Sequence, residues 1–158
     1  MIFMNKNNQK QRPVLAISSG GGHWIQLLKL NSSWKEYSVV YASVSSDYSK
    51  DVFPNRFYLI PDGNFNTKLK LIKIMIRILY LIIHIRPEVV ISTGAAPGFF
   101  ALVFGKLTGS KTIWVDSIAN ADELSLSGRK VKFFADVWLT QWEHLSSIGG
   151  PEFRGSIL

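Results

Sequence analysis

The chain has 158 residues, 47% of them apolar and 18% charged, which suits one domain with a core of its own and excludes a disordered polymer. It contains no cysteine, so a disulfide framework, a thiolate metal site and a thiol nucleophile are excluded, and its three histidines are too few for a His-rich metal centre. A formal charge of +7 points to an anionic partner: phosphate, nucleic acid or an acidic lipid surface.

Met1 to Gln11 is polar and basic and lacks the apolar centre of a signal peptide. Residues 1–12 therefore read as a disordered lead-in on the cytoplasmic side, ahead of one domain over 13–158. Pro13 to Ser18 is an apolar run breaking into Ser-Gly-Gly-Gly, the pattern of a buried parallel strand meeting a turn. Trp24 to Leu30 has helical spacing, with Asn31-Ser32-Ser33 expected to stop it. Tyr37 to Ser43 and Arg56 to Ile60 read as strands, the latter closed by Pro61-Asp62-Gly63.

A long helix follows over Lys68 to Ile85, ended by Arg86-Pro87. Glu88 to Ser92 is a fourth strand, running into Thr93-Gly94-Ala95-Ala96-Pro97-Gly98. A helix is expected over Phe99 to Leu107, a fifth strand over Lys111 to Asp116 and a sixth over Phe134 to Thr140. Beyond Gly149 the chain reads as irregular. Strand and helix in repeated alternation predict an α/β fold, a Rossmann-like doubly wound parallel sheet with helices on both faces.

In such a sheet ligands bind at the carboxyl ends of the strands, where the strand order reverses. In the usual order the first and fourth strands are neighbours there, and both end in small-residue turns that open a helix. Gly20, Gly21 and Gly22 let a ligand approach the backbone, while a helix N-terminus adds amide donors and partial positive charge. Thr93, Gly94, Ala95, Pro97 and Gly98 repeat the arrangement, with Pro97 suited to a first turn. Two donor clusters side by side suit a diphosphate; tight helix packing is the plainer alternative for either turn alone.

A dinucleotide cofactor is not expected, because Gly20-Gly21-Gly22-His23-Trp24-Ile25 misses the third glycine and the second strand ends in Ala42-Ser43 rather than an acid. No Gly-Lys-Ser/Thr follows, which excludes a kinase-type phosphate loop. His23 is a candidate general base on an acceptor hydroxyl, or a phosphate ligand, or only a helix-start cap. Asp116, at the end of the fifth strand, is a second candidate base or a turn-capping residue. His84 and His144 read as structural.

The long helix reads KLKLIKIMIRILYLIIHIR from Lys68 to Arg86, with Lys70, Lys73, Arg77 and His84 in one stripe on an otherwise apolar cylinder. It is too charged for a membrane span and suits a helix lying in the interface. Lys70, Lys73 and Arg77 would meet anionic headgroups, and Leu71, Ile74 and Ile78 would enter the apolar layer. A core helix with one solvated stripe is the alternative.

Taken in order, Ser18 to His23, Ser92 to Gly98, Asp116 to Asn120, Leu124 to Arg129 and Ala135 through Gln141-Trp142 resemble the membrane-anchoring subunit family of two-component UDP-sugar glycosyltransferases. That family serves eukaryotic lipid-linked oligosaccharide synthesis and bacterial capsule and exopolysaccharide synthesis. The resemblance spans Val14 to Phe153 and implies the N-terminal, acceptor-binding half of a MurG-type GT-B enzyme. It implies a second chain that carries the nucleotide-sugar site and binds most of the UDP-sugar donor, with no cofactor and no metal. It implies a polyprenyl-diphosphate saccharide as acceptor, adds Ser117 and Asn120 to the diphosphate-binding candidates, and makes the chain peripheral on the cytoplasmic face of the membrane. Where many members carry an arginine after Ser-x-Ala, this chain has Asn120.

Two other readings remain at this stage. One is a non-catalytic scaffold that binds lipid diphosphate and recruits a catalytic chain. The other, a nucleic-acid-binding domain, rests on charge alone and has no RNA-binding signature behind it, so no nucleic-acid partner is expected.

Overall fold

Seven strands, all parallel, form one sheet in a computed structural model that describes residues 12–62 and 68–157. They are β1 Val14–Ile17, β2 Val39–Ser43, β3 Arg56–Leu59, β4 Val89–Ser92, β5 Lys111–Val115, β6 Val137–Thr140 and β7 Glu152–Phe153. Their spatial order is β3-β2-β1-β4-β5-β6-β7. The chain builds outward from β1 to β3, then returns to lay β4 against the other side of β1, with Ile17 opposite Ser92. That reversal is the switch point expected from the sequence. Residues 1–11 of the lead-in lie outside the described residues, as does Gly63 of the expected turn.

Alternation along each strand separates two cores. Leu15, Ile17, Val40, Ala42, Val90 and Trp114 face the helices α2 (Lys68–Ile85) and α3 (Ala95–Leu107). Val14, Ala16, Val39, Tyr41 and Ile91 face the other way, toward Trp24 and Leu27 of helix α1 (Gly22–Lys29) and the bulky Trp34 and Val52. Strands buried on both faces must be apolar throughout, which is why β1 and β2 are buried at every position.

The long helix shows which apolar residues the sheet takes. Ile74 and Ile78 are 0% exposed and pack in the core with Leu81 and Ile82. The expectation that Ile74 and Ile78 reach lipid is therefore corrected: they hold α2 to the sheet, and Leu71 is half-buried beside them. At roughly 100° per residue the opposite side carries Leu69, Ile72, Ile76, Tyr80 and Ile83. These point outward, with Leu69 75%, Ile76 61% and Ile83 55% exposed. Lys70, Lys73, Arg77 and His84 line one flank between the two apolar faces. Arg77 turns back to donate from Nε and Nη2 to the Leu59 carbonyl at 3.3 Å, and His84 stacks on Tyr80 with centroids 5.6 Å apart. Among the described residues no helix is long and apolar enough to cross a membrane.

Several boundaries differ from the sequence reading. The tail beyond Gly149 is not wholly irregular, because Glu152–Phe153 pairs with β6 as an edge strand of two residues, too short to show a period in the sequence. Helix α3 begins at Ala95 rather than Phe99; Pro97 fits there because first-turn positions need no donor. The Asn31-Ser32-Ser33 stop is passed in a 3₁₀ turn, Leu30–Trp34, that ends by burying Trp34. The sixth strand starts at Val137, not Phe134, and the residues before it form a further helix, α4 (Leu126–Lys130), and a 3₁₀ turn.

Candidate functional site

At the carboxyl edge, β1 runs into Ser18 to Gly21 and α1, while β4 runs into Thr93-Gly94 and α3. Neither helix has a side-chain cap at its N-terminus, so their first-turn amides are left to other acceptors. The entry residues Gly21 (φ 63) and Gly94 (φ 147) take backbone angles that side chains resist. Ala95, one of the expected ligand-binding residues, sits at φ 63, which costs a residue with a Cβ about 1 kcal/mol.

Two hydrogen bonds clasp the turns together. Thr93 Oγ1 donates to the His23 carbonyl at 2.7 Å, and His23 Nδ1 lies 3.0 Å from the Thr93 carbonyl. A carbonyl oxygen only accepts, so Nδ1 is the donor of this pair. In the neutral ring that tautomer leaves the lone pair on Nε2, the nitrogen a general base would use. Gly94 makes this possible: a Cβ there would stand 2.4 Å from both Cε1 and Nδ1 of His23.

The glycines divide by purpose. Gly98 is needed for packing, since a Cβ would fall 1.9 Å from Ser92 Oγ and 3.2 Å from the Trp114 ring. Gly20 admits Tyr48, whose hydroxyl would be 3.1 Å from an added Cβ. Gly22 has no such reason. Its φ is not positive, and a Cβ would meet nothing within 4 Å. A glycine that neither turns the chain nor admits a neighbour, in the first turn of a helix that disfavours it, fits close approach by a ligand.

Asp116 behaves differently from His23. It is 2% exposed. Oδ1 accepts from Trp114 Nε1 at 3.1 Å and Ser125 Oγ at 2.5 Å, and Oδ2 accepts from the Ser125 amide at 2.9 Å. Ser125 Oγ in turn caps α4 by accepting from the Gly128 amide at 2.7 Å. Both carboxylate oxygens are thus engaged in holding the start of α4, which makes Asp116 a loop anchor and leaves His23 the more accessible of the two candidates.

Ser117 is buried, and its Oγ accepts from Gln26 Nε2 at 3.0 Å; the Asn120 amide donates to the Ser117 carbonyl at 3.0 Å. Gln26 Oε1 accepts from the Ile118 amide and from Gln141 Nε2, which also donates to the Asp116 carbonyl. Trp142 Nε1 donates to the Ile118 carbonyl at 2.8 Å. This web ties α1 to the loop after β5, so Ser117 serves it while Asn120 is half-buried at its rim. The sequence reading missed Gln26 because its amide stands on a helix face that otherwise packs apolar residues.

Among the described residues, no group of three His, Asp or Glu side chains could hold a metal ion. The site is an open edge. A 420 Å³ groove lined by Val14, Trp34, Ile91, Ile113, Val115 and Leu139 lies on the α1 face of the sheet and includes no residue of either turn.

A parallel sheet of this order with paired turns at its switch point defines a Rossmann-like half of the GT-B architecture. The fold is similar to Acinetobacter baumannii MurG, with a TM-score of 0.71 and 12% identity over 89% of this chain and 44% of that one. A putative UDP-N-acetylglucosamine 2-epimerase from Listeria monocytogenes gives 0.63 and 15%, covering 84% of this chain and 40% of the other. A glycosyltransferase from Rickettsia africae gives 0.56 and 13%, covering 78% and 34%. The chain thus spans less than half the length of each, and at these identities the likeness establishes the fold alone. No curated protein matches the chain at a significant level. Residues 14–156 match the family described as "Oligosaccharide biosynthesis protein Alg14 like", and the chain belongs to that family. Its family places it in oligosaccharide biosynthesis.

Proposed function

We propose that the chain is the acceptor-binding subunit of a two-chain glycosyltransferase that moves a sugar from a UDP-sugar to a polyprenyl-diphosphate-linked saccharide in capsular or exopolysaccharide synthesis. The partner chain holds most of the donor. The acceptor diphosphate lies over Gly22 between the N-termini of α1 and α3, where amide donors and helix dipoles stabilise its charge. His23 Nε2 takes the proton of the acceptor hydroxyl as that oxygen attacks the anomeric carbon. The bond from that carbon to the UDP oxygen breaks, UDP leaves with the electron pair, and the configuration inverts.

The outward face of α2 docks the subunit peripherally on the cytoplasmic leaflet. Its outward apolar residues leave surface that water disfavours, and Lys70 and Lys73 beside them suit anionic headgroups. The observation that carries the reading is the His23–Thr93 clasp, which joins both turns and fixes the His23 ring through Nδ1.

The test is co-expression with the second chain and transfer to a lipid acceptor, comparing wild type with His23→Asn. The asparagine amide can still donate to the Thr93 carbonyl but has no Nε2. Transfer should fall by about 10²- to 10⁴-fold while the complex still assembles. Unchanged transfer would instead support a non-catalytic scaffold that grips lipid diphosphate.

A further inference from the structure

Tyr48 lies on the 3₁₀ segment Ser46–Val52 that follows β2 and leans over the first glycine turn. Its hydroxyl accepts from the Gly21 amide at 2.9 Å. No acceptor for its own proton stands among the described residues. A phenol oxygen that accepts one hydrogen bond keeps its O–H free to donate, and this one sits at the mouth of the Gly20-Gly21-Gly22 turn.

The group is held in place from behind. The Tyr48 ring stacks on Trp24 with centroids 4.9 Å apart and planes 13° from parallel. Trp24 is buried, and its Nε1 donates to Asp51 Oδ2 at 2.9 Å, within the same 3₁₀ segment. Gly20 has no Cβ to push the hydroxyl away. Ring stacking alone would be served equally by phenylalanine, so the stacking does not explain the hydroxyl.

We propose that Tyr48 is a specificity-determining residue of the acceptor cradle, donating its phenolic proton to a non-bridging oxygen of the diphosphate over Gly22. This rests on the acceptor-binding reading above. A diphosphate could also come from the nucleotide-sugar donor; the acceptor is favoured because the turn belongs to the half of the enzyme expected to bind it. The hydroxyl distinguishes phosphate-ended lipids from the free alcohol, which offers no anionic oxygen.

The test uses the full chain in detergent micelles, titrated with farnesyl diphosphate, farnesol or UDP, in wild type and Tyr48→Phe. The variant keeps the ring on Trp24 and loses only the hydroxyl. The dissociation constant for farnesyl diphosphate should rise about tenfold, the scale of one hydrogen bond to a charged group, with farnesol binding unchanged. Equal binding of farnesyl diphosphate by both proteins overturns the assignment, as does a wild-type chain that does not distinguish it from farnesol. An effect confined to UDP overturns it too, by moving the hydroxyl to the donor. In the two-chain enzyme the variant should raise the acceptor KM with kcat within about twofold of wild type. Wild-type transfer with an unchanged acceptor KM in Tyr48→Phe would sink this inference and leave the proposed function standing. Tyr48-dependent farnesyl diphosphate binding without any wild-type transfer would do the reverse.

Discussion

Replacing Gly22 with alanine separates the demands of the fold from those of the ligand. The added methyl meets no heavy atom within 4 Å, and the backbone needs no positive φ at this position. Alanine is favoured over glycine inside a helix by up to about 1 kcal/mol, less at a first-turn position. In a domain of this size that raises the melting temperature by at most about 4 °C. The same methyl occupies the approach to the α1 amides, where a phosphate oxygen must come within about 3 Å to accept from them. Lost contact there should weaken farnesyl diphosphate binding at least tenfold, or about 1.4 kcal/mol. Thermal unfolding and a binding titration on one preparation read both effects. A variant that is as stable as wild type and binds farnesyl diphosphate equally well would refute the idea that Gly22 is glycine for a ligand.

Other perturbations test neighbouring claims. Gly94→Ala puts a Cβ 2.4 Å from the His23 ring, so it should cost about 1–3 kcal/mol in urea unfolding and release the His23–Thr93 clasp; unaltered stability would contradict that packing. Ile76→Glu with Ile83→Glu changes two exposed side chains on α2, so folding should be intact while sedimentation with phosphatidylglycerol vesicles falls at least tenfold. Vesicle binding that survives both changes would remove α2 as the docking face. The carboxylate of Asp136 is held below its usual range by the Lys106 ammonium, with help from the Thr112 amide and hydroxyl. A lowered folded value stabilises the protein above the unfolded value near about 4 and loses that effect as pH falls through the folded one. Lys106→Met should therefore cost up to about 1 kcal/mol at pH 7 and progressively less in acid; a deficit that grows in acid would reverse the sign.

Much of the fold was legible because parallel strands advertise themselves. Val14 to Ile17 and Val89 to Ser92 are short apolar runs ending in small-residue turns, and they were expected within a residue or two of where they form. Helix α2 was expected over its observed span, Lys68–Ile85, from its 3.6-residue pattern. Elements whose cause lies elsewhere were not legible. Helix α4 has five residues and depends on Ser125, which is held by Asp116 from the end of β5. Strand β7 exists because β6 offers it an edge.

The site divides the same way. Local composition was enough to single out Gly20 to His23 and Thr93 to Gly98, because backbone freedom and amide donors are properties of the residues themselves. Composition could not tell which glycine serves which need, since that depends on what lies opposite each missing Cβ: Tyr48 for Gly20, His23 for Gly94, Ser92 and Trp114 for Gly98, and no neighbour for Gly22. Nor could it divide α2, whose apolar residues look alike until the sheet takes Ile74 and Ile78 and leaves Ile76 and Ile83 outside. The sequence by itself determined the alternation of strands and helices and the residues at the two turns, through period and propensity. The tertiary structure decided that His23 faces Thr93, 70 residues along the chain, while Asp116 is bound into the cap of α4, because a side chain's reach depends on the partners that folding brings to it.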